Sequence, residues 1–332
     1  MKDLSTTYLG IPIKNPIVIG SSGLASTIGG IKKLADAGAA AIVLKSVFEE
    51  EIVAEADVTV GKQLGADENN LEFFDYYDYQ VKNDVLENYV SLISEAKEMV
   101  DVPIIASINC SSYSEWVSYA KRIEGAGADG LELNIFKLPY GTKNSSEELE
   151  KIYFDIAKKV KEHINIPVGL KIAPYFTNLG NIIHRLSHSG VEGLVLFNRF
   201  TSIDFDIEND QVITGNVYSA SNEFTMPLRW ISVMSNNVGC DLIASTGVHD
   251  YRTLVKMLMA GASSTEVVSA VYKEGVEVIG WMLKELENWM DRRGHKCIND
   301  FKGKLSRGNS DHPEVFERVQ FMRYFSDHKP VK

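Results

Sequence analysis

Apolar and polar positions along this chain fall into a unit that recurs four times: an apolar helical stretch, a turn of small residues, then an apolar strand. The four are LADAGAAAIVL (Leu34–Leu44), IEGAGADGLEL (Ile123–Leu133), LSHSGVEGLVL (Leu186–Leu196) and LMAGASSTEVV (Leu258–Val268). Gly38, Gly127, Gly190 and Gly261 stand where a helix C-terminus needs a left-handed residue, and each following run has the length and apolar content of a strand buried on both faces. The glycines lie 89, 63 and 71 residues apart. A single βα unit takes roughly 30 residues or a little more, so each interval holds two. Two units in each of the three intervals, with one strand before Gly38 and one after Gly261, predict an eight-stranded parallel barrel, with chemistry at the C-terminal ends of its strands.

The odd-numbered strands stand where that count needs them: Pro16–Ser22, Pro103–Asn109, Pro167–Ala173 and Asp241–Gly247. Three open on proline, which a strand tolerates at its first position. Glu147–Ile164 and Val276–Arg292 repeat apolar residues at helical spacing and supply covering helices. The α/β fold class expected is therefore a TIM (β/α)8 barrel forming one domain over residues 1–332. Two additions are expected on it. Thr201–Asn216, after strand six, alternates polar and apolar residues and predicts a hairpin on the rim. From Ser310 the order Ser-Asp-His-Pro-Glu, followed by an apolar-faced run, predicts a capped helix, so that residues 307–332 form a C-terminal helical extension. The segment Val47–Asn83, acidic and then aromatic, predicts a long loop acting as a lid or binding wall, or equally one whose Phe73, Phe74, Tyr76, Tyr77 and Tyr79 plug the barrel side or a subunit contact.

Composition narrows the partners. A formal net charge of −11 gives a phosphate backbone nothing to hold, which excludes nucleic acid. No signal peptide or membrane-length apolar run is evident, so a cytoplasmic protein acting on a small molecule is expected. Cys110, Cys240 and Cys297 lack metal spacing, and the seven histidines are scattered; no metal is expected. Gly125–Gly130 satisfies G-x-G-x-x-G, but it follows a helix and precedes a strand, the reverse of a dinucleotide-binding turn.

Polar residues converge at the strand C-termini: Ser21 and Ser22, Lys45 and Ser46, Asn109, Asn134, Lys171, Asn198, Thr246 and Gly247, and Ser269 with Ala270. Two inward lysines among amides and hydroxyls suit a planar, hydrogen-bonding, anionic ligand. The turns after strands seven and eight are where barrels of this kind commonly hold phosphate.

In order and strand position, several segments resemble the dihydroorotate dehydrogenase family of flavin barrels. They are NPIVIGSSGL (Asn15–Leu24), Lys45-Ser46, GADGLELNI (Gly127–Ile135), PVGLKIAPYF (Pro167–Phe176), Asn198, STGV (Ser245–Val248), AVYKEG and DFKGKL. The resemblance implies FMN as cofactor. Ser21 and Ser22 would contact the flavin, Lys45 and Lys171 its ring edge and ribityl chain, and Asn134 and Asn198 the ring and substrate. Gly247, Ser269 and Ala270 would hold the phosphate, and Lys45 would stabilise negative charge on the reduced ring. It also implies a homodimer. Two departures stand out. Where the family has Asn-x-Ser-Cys-Pro-Asn, or Ser for Cys as the base, this chain reads Asn134-Ile135-Phe136-Lys137-Leu138-Pro139, which places Lys137 at the base position. Where the family grips a carboxylate, Leu64–Asn70 reads LGADENN. The expected function is hydride transfer between FMN and a small cyclic amide or unsaturated substrate, with Lys137, once desolvated, moving the proton. The alternatives are a non-catalytic flavin- or nucleotide-binding barrel, and a true dihydroorotate dehydrogenase with an atypical base.

Overall fold

The computed structural model describes residues 2–49, 71–110, 113–135, 137–200 and 202–317. Eight parallel strands close into a barrel: β3 (Ile17–Ile19), β4 (Ala41–Val43), β6 (Ile104–Asn109), β7 (Gly130–Asn134), β8 (Val168–Ile172), β9 (Gly193–Leu196), β12 (Asp241–Ala244) and β13 (Ser264–Val267). Closure comes from β13 pairing with β3, Thr265 opposite Ile17, and from β4 pairing with β6, Ile42 opposite Ile104. The four turn glycines all take left-handed φ values, +110° at Gly38, +89° at Gly127, +93° at Gly190 and +116° at Gly261. Each reverses a helix end into the next strand at no Cβ cost.

Helices α1 (Ile28–Asp36), α2 (Leu71–Met99), α3 (Tyr113–Gly125), α4 (Ser146–Lys161), α5 (Leu179–Ser187), α6 (Thr225–Met234), α7 (Tyr251–Ala260), α8 (Ser269–Glu274) and α9 (Glu277–Arg293) follow in chain order. Their apolar faces and the outward faces of the strands form one continuous core. Ser145 and Glu148 make a reciprocal capping box on α4, which fixes where that helix starts. Among the described residues, no helix is long and apolar enough to cross a membrane.

The far end of the barrel is plugged by a hairpin of β1 (Thr6–Tyr8) and β2 (Ile11–Ile13). Its turn residue Leu9 is fully buried, and Gly169 and Gly193 leave it room. A Cβ on either glycine would come within 2.4 and 2.5 Å of the Leu9 side chain. With Tyr8, Val18, Val43, Ile105, Val195 and Ile243, Leu9 fills the barrel interior.

The rim hairpin is present as β10 (Ile203–Asp206) and β11 (Gln211–Thr214), Ile203 opposite Thr214. One expectation is corrected. The Val47–Asn83 segment is not one long loop: Val47 and Phe48 form a short strand, β5, on the end of β6, and α2 begins at Leu71. Residues 50–70 lie outside the described residues. Of the stretch where a capped helix is expected from Ser310, the described residues hold one 3-10 turn, Pro313–Phe316, with the proline in its first turn; residues 318–332 also lie outside them.

Candidate active site

The strand ends bring most of the predicted ring together. Ser21 Oγ lies 2.9 Å from Ser46 Oγ and accepts a hydrogen bond from the Ser46 amide at 2.9 Å. Ser46 Oγ also accepts from Asn134 Nδ2 at 3.4 Å, and Asn198 Nδ2 donates to Asn134 Oδ1. The Asn198 bond orients the Asn134 amide, turning its NH2 toward Ser46. Ser46 and Asn134 are buried, and Ser21, Ser22, Asn109 and Asn198 are half-buried. Asn109 ends β6, opposite Phe48 of β5.

The two lysines separate. Lys171 points into the barrel, 8% exposed. Lys45 is exposed and lines a cavity of about 420 Å³ with Ser26, Ser46, Phe48 and Tyr89, between the end of β4 and α2. Its neighbour Ser46 is buried and lies within hydrogen-bond distance of Ser21 and Ser107. Lys137 is also exposed; it lines a second cavity of about 200 Å³ with Tyr153, Tyr175 and Phe176, beside the mouth. Desolvation, the condition for its proposed proton transfer, is not met there. Phe136 and the Leu64–Asn70 stretch lie outside the described residues.

The turns after β12 and β13 form the third part. Thr246 and Gly247 both take left-handed φ values, +81° and +77°. A Cβ on Gly247 would fall 2.2 Å from the Phe224 backbone nitrogen, so only glycine fits against the approach to α6. Ser269 Oγ accepts from the Ser219 amide at 3.0 Å, and Lys273 Nζ donates to the Ser219 carbonyl at 2.7 Å. His249 Nε2 lies 3.0 Å from Ser219 Oγ; burial and the Lys273 charge hold its pKa below the ordinary imidazole value. Arg199 pairs with Glu223 at 2.7 Å and donates to the carbonyls of Asn216 and Val217, clamping the same loop.

Beneath the ring lies a charged cluster that the sequence reading missed. Lys171 Nζ stands 2.6 Å from Glu266 Oε2 and 3.7 Å from Glu132 Oε1. Tyr8 OH, from the plugging hairpin, lies 3.3 Å from Glu132 and 3.1 Å from Glu266, and Ser107 Oγ is 3.3 Å from Glu132 Oε1. One ammonium faces two carboxyl groups. Burial, then the neighbouring Glu266, push the Glu132 pKa up to about 8 against the pull of Lys171. Burial acts upward on Glu266 too, but the Lys171 ammonium and hydrogen bonds from Glu132, Lys171 and Tyr8 outweigh it, leaving its pKa below the ordinary value. Near neutrality the cluster is therefore Lys171 ammonium, Glu266 carboxylate and Glu132 acid, with no net charge. The available signal was a lone acid in an otherwise apolar strand, GLELN and STEVV. Among the described residues, no group of three or more His, Cys, Asp or Glu side chains is arranged to hold a metal ion.

A (β/α)8 barrel whose mouth carries hydroxyls, amides and an inward ammonium, with glycine- and serine-bearing turns after its last two strands, has the build of a flavin-dependent barrel oxidoreductase. The chain belongs to the dihydroorotate dehydrogenase family, whose model matches residues 3–290. It is similar to the catalytic subunit of dihydroorotate dehydrogenase B (NAD(+)) of Thermoplasma volcanium, 26% identical over 320 residues, 91% of this chain and 98% of the relative. The corresponding subunit of Methanocaldococcus jannaschii is 25% identical over 295 residues, 86% of this chain and 93% of its own length. This chain is a flavin-dependent oxidoreductase of that family, acting on CH–CH bonds.

Proposed function

We propose that the flavin is FMN, held at the barrel mouth, and that the chain transfers hydride between it and a small cyclic amide or unsaturated substrate. The observation that carries this is the linked set Ser21, Ser46, Asn134 and Asn198 above the Lys171 ammonium. Its donors and acceptors match the alternating groups of a flavin ring edge in chemistry. An ammonium offers three donors. Glu266 takes one, and Glu132 at 3.7 Å is too far for a full hydrogen bond, so capacity remains for a ligand. Bound there, FMN would supply two-electron acceptance and return. Asn134 and Asn198 would hold the ring edge, Ser21 and Ser22 its flank, Lys45 and Lys171 the charged side, and Asn109 the wall. The Thr246, Gly247, Ser269 and Ala270 turns would carry the phosphate. Of these, Lys171 adds fixed positive charge from within the barrel, where low dielectric strengthens it.

The substrate differs from dihydroorotate in this reading. Lys137 stands in the sequence where the family has its thiol or hydroxyl base, and the family's carboxylate-gripping segment is replaced in the sequence by LGADENN. Lys137, exposed on the rim loop, would meet the substrate proton once a bound substrate excludes water from it. The names of the relatives favour a second reading, a dihydroorotate dehydrogenase with an atypical base. Anaerobic mixing of the flavin-loaded protein with dihydroorotate and with a panel of cyclic imides, watched by flavin bleaching, separates the two. Bleaching by an imide and none by dihydroorotate is the expected result, and rapid bleaching by dihydroorotate would overturn it. The resemblance carries a homodimer as the expected assembly, and the relatives' description as catalytic subunits adds a second kind of subunit. The mass of the particle in solution tests both.

A further inference from the structure

A line of hydroxyls connects the buried charge cluster to the mouth. Glu132 Oε1 lies 3.3 Å from Ser107 Oγ, Ser107 Oγ 2.7 Å from Ser46 Oγ, and Ser46 Oγ 2.9 Å from Ser21 Oγ. Glu132 and Ser107 are fully buried and Ser46 is buried, whereas Ser21 is half-buried at the mouth.

We propose that Glu132 is a proton store for the active site, exchanging one proton with the barrel mouth through Ser107, Ser46 and Ser21. The purpose of that proton rests on the function proposed above; the store and its path rest on this chain alone.

The hydroxyl line can be polarised in either direction. Ser46 Oγ already accepts from Asn134 Nδ2. With Ser107 donating to Glu132 Oε1, Ser46 donates to Ser107 and accepts from Ser21; with each hydroxyl turned round, Ser107 accepts from Glu132 and donates to Ser46, whose own proton then points at Ser21. Ser21 Oγ then accepts from both the Ser46 amide and the Ser46 hydroxyl, which directs its proton outward. Tyr89 holds Ser107 in place, its OH accepting from the Ser107 amide at 2.9 Å. In the outward direction the Glu132 proton turns from Glu266 to Ser107, the Glu132 O–H bond breaks, each serine passes its proton one place on, and a solvent water or hydroxide beside Ser21 takes up the last one. Glu132 is left a carboxylate next to Lys171. Inward transfer is the reverse, and no electrons move in either.

The groups facing Glu132 make both of its forms accessible. Glu266 from β13 raises its proton affinity, Lys171 from β8 lowers it, and Tyr8 from β1 hydrogen-bonds both carboxyls. Tyr89 from α2 feels the Glu132 charge, and Ser107 from β6 hydrogen-bonds Glu132 Oε1. With its pKa at about 8, Glu132 holds its proton at neutral pH and releases it within about a unit or two above. Glu132 is a positioning residue for protons; it reaches the mouth only through the serines.

Infrared spectroscopy of the folded protein tests this with or without flavin. A protonated-carboxyl band that titrates at mildly alkaline pH and is missing in Glu132→Gln is expected. Glu266→Gln should move that titration at least tenfold in proton concentration toward acid, because it removes the like charge and frees Lys171 for Glu132. This second variant assigns the band even if the first does not fold. A rapid upward pH jump then reads the path: Ser107→Ala should slow loss of the band tenfold or more, and Ser107→Thr, which keeps a hydroxyl, should restore it. The absence of a titrating buried carboxyl, or equal rates in Ser107→Ala and the native protein, would overturn the proposal. A protein that shows the band and its slowed loss but takes up no FMN would count against the function proposed above and leave the proton store standing.

Discussion

Replacing Lys171 by methionine tests the buried cluster most sharply, because the structure gives the size of the effect and its pH dependence. The ammonium lies 2.6 Å from Glu266, and both glutamates are at most 2% exposed. Without it, Glu266 either stays ionised and unpaired, at a cost of about 3–5 kcal/mol, or takes up a proton. Protonation sets the ceiling. A carboxyl of ordinary pKa 4.5 costs about 1.4 kcal/mol to protonate for each pH unit above that value, hence about 3 kcal/mol at pH 7 and nearly nothing at pH 4.5. The native protein already holds one such proton. The raised pKa of Glu132 keeps its contribution intact below the unfolded value of 4.5, and it is lost as pH rises toward about 8. In Lys171→Met the folded state holds two extra protons in that window, so stability should fall with pH about twice as steeply as in the native protein. Urea unfolding at about pH 5 and about pH 7 measures both slopes. Lys161→Met is the control: its 2.6 Å pair with Glu192 is partly exposed, and its loss should cost under about 1 kcal/mol at either pH. A Lys171→Met penalty that is equal at the two pH values would refute the charge assignment.

Other substitutions test the mouth. Gly247→Ala forces a Cβ to 2.2 Å from the Phe224 nitrogen at a φ of +77° and should cost more than about 2 kcal/mol. Gly127→Ala, at +89° with open space around it, should cost about 1–2 kcal/mol; thermal melts rank the pair, and equal losses would contradict the contact. Asn134→Leu leaves the Asn198 amide without its acceptor, and should weaken FMN binding tenfold or more in a fluorescence titration while the protein still folds. Lys137→Met should leave folding and FMN content unchanged and lower turnover of the substrate that bleaches the flavin by about 10²–10⁴. Full activity in that variant would remove Lys137 from the chemistry.

The fold was legible because its signals are local. A glycine at each helix end and a short apolar run after it need no distant partner, and all four such glycines are left-handed in the structure. The start of α2 was harder to read, since its sequence opens on a run of aromatic residues of weaker helix propensity. At the site, strand-end position located Ser21, Ser46, Asn134, Lys171 and Asn198. It could not tell that Lys45 is exposed while its neighbour Ser46 is buried. Glu132 and Glu266 lie on different strands and meet only across the closed barrel, with Tyr8 arriving from the opposite end. Each looked like a single acid in a strand, and their partnership is a property of closure.

The central claim is that this barrel mouth binds FMN, and the direct measurement is flavin stoichiometry. The purified protein, stripped of ligand under conditions that preserve its fold, is titrated with FMN and followed by flavin fluorescence and protein circular dichroism. The account predicts saturation at one FMN per chain, with binding weakened in Asn134→Leu and preserved in Lys137→Met. A folded native protein that neither carries FMN nor binds it when added would contradict the account.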